Sequence, residues 1–417
     1  MTPTTRAVAT NASRSHRTGH WLDRRRIRLY ACTVLLFYAI VALVYAYRTL
    51  WQHRPDFGTI ALDYLPVWSA SHLALHGQAL DAYNQAVLAS VERAAIAQPV
   101  GILPWLYPPT CLLITAPFAL LPFRLSAIAF LFITLAMFLR AVCTIVPGRL
   151  TLLPALAFPA VAVVLVSGQN GLLTAALAGL GLIALRRRPI LAGFAFGLLC
   201  VKPHLATLIP LALLCSRSWR ALASMAITAI TTLAFATLAF GPATLSAFVH
   251  NMGLISGYVE AGRIALARVP TFFAMARLAH LSVPVAYALQ AVSAVCGALA
   301  VVRTWSRPCA FELRAATLVC ASLLVSPYLF DYDLTWFGLL IAWFVRHAQT
   351  HGFRQGEREW LVALWLAPCA GIFIIGMLHV QLMPILTAFS LALLLRRVES
   401  ERRNRASSIS LPVELTP

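Results

Sequence analysis

Lysine is nearly missing from this chain: of 33 basic residues, only Lys202 is not arginine. Charge of either sign is scarce, at 11% of residues with 14 acids, while 60% of the 417 residues are hydrophobic. A soluble globular domain carries about a quarter charged residues, so that class is excluded and a polytopic membrane protein is left. The nine cysteines form no Cys-x-x-Cys pair, and Cys111, Cys143, Cys200, Cys215, Cys296 and Cys320 sit in apolar segments. That spacing supports neither a disulfide framework nor a zinc site, and small buried hydrophobes remain. No linker, internal repeat or soluble domain interrupts the sequence. The net charge of +19 is split into short arginine clusters between apolar runs. That is the pattern of cytoplasmic loop anchors rather than of a nucleic-acid surface, so no nucleic-acid partner is expected.

What is present is a series of apolar runs of very unequal length. Residues 1–28 form a basic tail, and the run from about 29 to 47 is too long for a signal peptide and lacks its cleavage site. It reads as a retained first helix with a cytoplasmic N-terminus. Residues 48–123 read as a large first external loop with surface helices near 63–76 and 82–94, followed by a proline-flanked apolar stretch, Tyr107-Pro108-Pro109 to Leu121-Pro122-Phe123. At about thirteen apolar residues this stretch is too short to cross and is expected to be re-entrant. Letting it cross would turn most of the downstream arginines outward, against the positive-inside rule. Further spans are expected at about 125–146, 151–167, 170–185, 189–201, 204–216, 219–240, 283–302, 311–325, 334–347, 360–378 and 382–395. The sum is an all-α fold of about twelve transmembrane helices in a bacterial-type inner membrane, a second external loop over 241–283, and a cytoplasmic tail over 396–417.

This topology gathers the unusual polar residues on one external face: Asp63 and Tyr64, Gln169 and Asn170, Lys202 and His204, and Asp331 and Asp333. A cation in an apolar run needs an anionic partner and marks a functional site, so Lys202 is expected to hold a lipid phosphate as a point charge, unless the lysine merely snorkels to the interface. Asp63 has an ordinary alternative as a helix N-cap, and one of Asp331 and Asp333 has the same alternative while the other could orient a sugar hydroxyl. Gln169 and Asn170 are substrate contacts or caps of backbone groups at a turn. His204 could assist, although a lone histidine is more often a satisfied core group. Arg263 and Arg268 lie in the second external loop, where exposed arginines usually do little; Arg263 is carried forward as a contact to a lipid phosphate. A carboxylate beside a cation is the minimum equipment for glycosyl transfer from a lipid phosphate, with general-base help of about 10²- to 10⁴-fold and electrostatic stabilisation of the leaving group. Asp331-x-Asp333 is too isolated to claim a metal, and neither metal nor cofactor is expected.

The strings Asp63-Tyr64-Leu65-Pro66-Val67-Trp68-Ser69-Ala70 with His76-Gly77 and Tyr83, Tyr107-Pro108-Pro109 with Pro117 to Pro122, Gly168-Gln169-Asn170, Ala192-Gly193 through Gly197 to Lys202-Pro203, and Ser326-Pro327 resemble glycosyltransferase family 87. The resemblance runs over roughly residues 30 to 395. It implies the GT-C membrane fold and an inverting hexosyltransferase, with mannose from a polyprenyl-phosphate donor as the family precedent. The acceptor would be a lipid-linked or envelope glycan on the external face, with membrane lipids as the surroundings. Asp63 corresponds to the catalytic base. One departure lies after Ser326-Pro327, where family members often carry a histidine and this chain has Asp331-Tyr332-Asp333. A transporter or lipid-carrier flippase is the rival from another class, since intramembrane charges and short broken helices also mark substrate pathways.

Overall fold

A computed structural model describes residues 20–51, 60–96, 103–260 and 265–409, and among them it contains helices and turns but no strand. Five helices are long and apolar enough to cross a membrane by themselves: Arg24–Thr49, Phe123–Ile145, Trp219–Phe240, Val283–Trp305 and Glu357–Leu378. Four shorter apolar helices accompany them, Pro109–Leu120, Gly171–Ala184, Pro189–Val201 and Pro203–Cys215. Proline and glycine produce the short lengths. Pro159 starts a new helix after the Leu152–Leu156 turn, and Pro203 restarts the chain directly after Lys202, because proline suits a first helical turn but cannot continue an existing one. The protein is therefore an all-α membrane protein whose spans are uneven.

The helices differ sharply in what covers them. Gly171–Ala184 is packed on all sides and buries nearly every residue. Arg24–Thr49 and Trp219–Phe240 bury only 6% and 11% of their apolar stretch, so lipid must cover what the protein leaves open. The N-terminus of the first helix is capped by Asp23, whose carboxylate accepts from the Arg26 N–H at 2.8 Å. His20 and Trp21 dock it to Glu359 at the start of Glu357–Leu378.

Three segments depart from expectation. The stretch read as the second external loop contains an eighteen-residue helix, Ala243–Glu260; its apolar residues, diluted by polar ones, carry too little hydropathy to signal a span. The segment at 151–167 is broken after Leu156. The last helix, Met383–Ile409, continues through the point where the tail was expected to begin. Arg397 is buried there by partners on its own helix, at the start of Glu357–Leu378 and on the segment before it: its guanidinium donates to Glu401 at 2.8 Å, to Glu357 at 2.9 Å and to the Gly352 carbonyl at 3.0 Å. Elsewhere the expected helices are found in place: the first external loop contains Leu65–Leu75, which buries most of its side chains, and Gln85–Ala95, and the proline-flanked stretch is a short helix, Pro109–Thr115, ending in a 3-10 turn over Ala116–Leu120.

Candidate active site

The turn Gly168-Gln169-Asn170-Gly171 is where the distant loops meet. Gly168 closes the helix Pro159–Ser167 with a positive φ of 84°, and a side chain there would meet the Ala61 backbone, whose Cα would lie 2.7 Å from the added carbon. Ala61 itself takes a left-handed conformation with φ 62°, and its N–H donates to the Val166 carbonyl at 2.8 Å. This contact sets the position of Asp63 two residues later. On the other side, Gly171 packs so closely against the Tyr332 carbonyl that any Cβ would collide with it. Thr335 secures the same approach by donating to the Gly171 carbonyl at 2.9 Å. Close backbone packing, secured by the Thr335 hydroxyl, thus brings the Asp63 loop and the Asp331–Asp333 turn to one place.

Two ion clusters form there. In the first, Arg268 lies between two acids, with its Nη2 3.0 Å from an Asp63 oxygen and its Nε and Nη2 reaching Asp331 at 3.0 and 3.2 Å. The forked contact with Asp331 is the geometry that makes guanidinium and carboxylate a strong, oriented pair. The cluster is open to its surroundings, with 38% of the Arg268 side chain and 19% of the Asp63 side chain exposed. In the second cluster, Lys202 Nζ sits 2.6 Å from Asp333 Oδ1 and 3.5 Å from Asn170 Oδ1. Its side chain is 5% exposed and that of Asp333 is fully buried. Tyr332 joins the two: Lys202 Nζ lies 4.5 Å from its ring centroid and the Arg268 guanidinium carbon 5.9 Å from it. Both cations therefore share one aromatic ring, which attracts them through its quadrupole.

The cation expected to await an outside anion already has an internal one. Asp333 neutralises Lys202, and its other oxygen accepts from the Phe330 N–H at 3.1 Å, so Asp333 is the acid that caps the turn. Asp331 faces Arg268 instead. Gln169, buried beside Asn170, accepts from the Tyr107 hydroxyl at 2.8 Å. Tyr64 is directed elsewhere: its hydroxyl pairs with Ser126 at 3.0 Å and its ring stacks on Phe130 in the core. His204 has a buried Nε2 without a hydrogen-bond partner. Arg263 lies outside the described residues.

Arg268, passed over in favour of Arg263, is the residue that holds the site together. Its 3-10 turn, Leu266–Arg268, is anchored on both sides by Gln381, whose amide donates to the Ala267 and Val269 carbonyls at 3.1 and 3.3 Å. Two residues from Pro270, this turn carried no pattern that would have distinguished it from any other loop arginine. Tyr332 was likewise visible only as the residue between two acids.

The surroundings tune Asp63. Burial pushes its carboxyl above the ordinary aspartate range, the Arg268 guanidinium pulls it down by charge and by hydrogen bond, and Asp331 pushes it up again; the net direction is upward. Arg268 is moved upward too: burial works against its charge, but the hydrogen bond and charge of Asp331, and then those of Asp63, prevail. A carboxylate whose proton affinity is raised, in an ion cluster open to its surroundings, is chemically suited to take a proton.

Among known protein families, the model of glycosyltransferase family 87 matches residues 105–327. The matched stretch includes Tyr107, Gln169, Asn170, Lys202 and Arg268, whereas Asp63 and the Asp331–Asp333 turn flank it. No curated protein and no solved structure matches the chain.

Proposed function

Because the chain belongs to glycosyltransferase family 87 and is a membrane glycosyltransferase, we propose that it transfers a hexose, mannose by family precedent, from a polyprenyl-phosphate donor to a lipid-linked or envelope glycan. The reading includes a GT-C architecture of about twelve spans in a bacterial inner membrane, both termini in the cytoplasm, and a site facing outward. Family membership decides against the transporter or flippase.

The observation that carries this reading is the open triad of Asp63, Arg268 and Asp331, with Arg268 3.0 Å from each acid. The acceptor hydroxyl oxygen attacks the anomeric carbon while its proton passes to Asp63. The bond from that carbon to the phosphate oxygen breaks on the opposite face, its electron pair leaves with the polyprenyl phosphate, and the configuration inverts. Once Asp63 is protonated its charge is gone, and Arg268 loses one of its two anionic partners at the moment the leaving phosphate gains charge. Proton uptake and leaving-group stabilisation are then coupled through one guanidinium, and electrostatic stabilisation of this kind is often the larger part of catalysis. Arg268 takes the phosphate role that sequence reasoning gave to Lys202, while Lys202 and Asp333 keep the turn below it in shape. Asn170, Gln169 and His204 line the floor toward the sugar.

The test is a panel of polyprenyl-phosphate sugars supplied to the purified protein, comparing wild type with Asp63→Asn and Arg268→Gln. Donor consumption and product formation by wild type, lost in both variants, is expected. Transfer that survives both substitutions would overturn the roles, and no turnover with any polyprenyl-phosphate sugar would overturn the donor class.

A further inference from the structure

Roughly 20 Å from Lys202, at the far end of the helix that leads to it, a second feature has no part in the transfer reaction. The helices Pro189–Gly197 and Trp219–Phe240 begin at the same end and run parallel, since Ile190 meets Ser224 and Gly197 meets Thr228. Gly193 and Gly197 allow backbone-to-backbone packing here; a side chain on Gly193 would collide with the Ala221 carbonyl. Beside this seam lies a groove of about 590 Å³. Its body is Ile190, Leu191 and Phe194, and its mouth carries Arg188 and Arg220.

We propose that this groove binds an anionic phospholipid, with the headgroup phosphate between Arg188 and Arg220 and an acyl chain along Ile190, Leu191 and Phe194. Charge complementarity argues for the headgroup. Neither arginine is in an ion pair among the described residues, and no Asp or Glu occurs in the sequence between Glu92 and Glu260. Arg186, Arg187 and Arg217 on the adjoining turns add to the same positive field. The body argues for a lipid rather than a free anion: Ile190, Leu191 and Phe194 are 67%, 48% and 49% exposed, and Trp219, the residue before Arg220, is 59% exposed, as an aromatic at the edge of a bilayer is. The helix forming one wall is almost entirely lipid-facing. A basic pocket between membrane helices is a known form of headgroup site, whereas a zwitterionic lipid brings its own cation to the mouth and is repelled.

The full-length protein in detergent, titrated with phosphatidylglycerol or phosphatidylcholine and read by native mass spectrometry, tests this directly. One retained phosphatidylglycerol is expected in wild type. Arg188→Gln with Arg220→Gln should weaken retention about thirtyfold, at about 1 kcal/mol per basic residue, and Phe194→Ala should weaken it less. Arg24→Gln with Arg25→Gln, which removes equal charge at another exposed helix start, should leave retention unchanged. Equal retention of both lipids, equal losses in the two double variants, or displacement of the lipid by inorganic phosphate alone would overturn the site. Transfer of sugar at Asp63 is independent of this result.

Discussion

The two ion clusters around Tyr332 share chemistry but not surroundings. Lys202 and Asp333 form a sealed pair, each almost without exposure, whereas Arg268, Asp63 and Asp331 form an open triad in which the cation is outnumbered. A sealed pair costs desolvation that its attraction must offset, and its members cannot leave each other without stranding a buried charge. An open triad can exchange partners. The lesson is that a buried charge and an accessible charge a few ångströms apart serve opposite purposes, one fixing geometry and the other reacting.

The strongest way to break this contrast is at Asp63. Asp63→Asn should lower turnover by about 10²- to 10⁴-fold with little change in melting temperature; an equal loss of both would make Asp63 structural. At the sealed pair the opposite outcome is expected. Lys202→Ala should destabilise by about 3–5 kcal/mol, because Asp333 is left buried and unpaired, while Lys202→Met combined with Asp333→Leu should recover most of that loss, read as melting temperature in one detergent. A somewhat smaller effect is predicted for Arg268→Gln, with turnover down about 10²- to 10³-fold, comparable to the loss of one charged stabilising donor. The pH profile sharpens this prediction. Arg268 lowers the Asp63 carboxyl against burial and Asp331, so removing it raises that carboxyl further, and the acid limb of activity should move to higher pH. An acid limb that stays in place would separate Arg268 from Asp63.

The smallest effect belongs to the other end of the helix Trp336–His351, sixteen residues and roughly 24 Å from the site. There, burial pushes Glu401 up, but hydrogen bonds from His347 and Arg397 prevail and hold it at about 2. A depressed acid contributes stability above its ordinary value and loses it as pH falls through the folded one. The melting temperatures of wild type and Glu401→Gln should therefore converge between about pH 4 and pH 2, and a constant gap would count against the pairing.

Much of this was legible in the sequence. Scarce charge and uneven apolar runs gave an all-α membrane protein, and the ordered strings around Asp63, Gly168 and Lys202 gave the family. The prolines at 108 and 109 marked where the short helix Pro109–Thr115 starts. What remained hidden was pairing. Nothing in one dimension distinguishes an apolar-run lysine waiting for a phosphate from one already matched by Asp333, 131 positions away. Arg268 was hidden for the same reason, since its importance comes from Gln381 anchoring its turn and from acids contributed by two remote loops. Local pattern also favoured Tyr64 beside Asp63, although neighbouring residues in a tight helical turn point to different sides, and Ser126 claims its hydroxyl.

The glycine-flanked turn at 168–171 has a further consequence. Because backbone rests on backbone at both of its ends, the spacing between the Asp63 loop and the Asp331–Asp333 turn is set largely by main chain. Peripheral residues are then free to vary with the sugar or the acceptor while the reacting geometry stays put, and a single methyl group at Gly171 would do more harm than many larger changes around the rim.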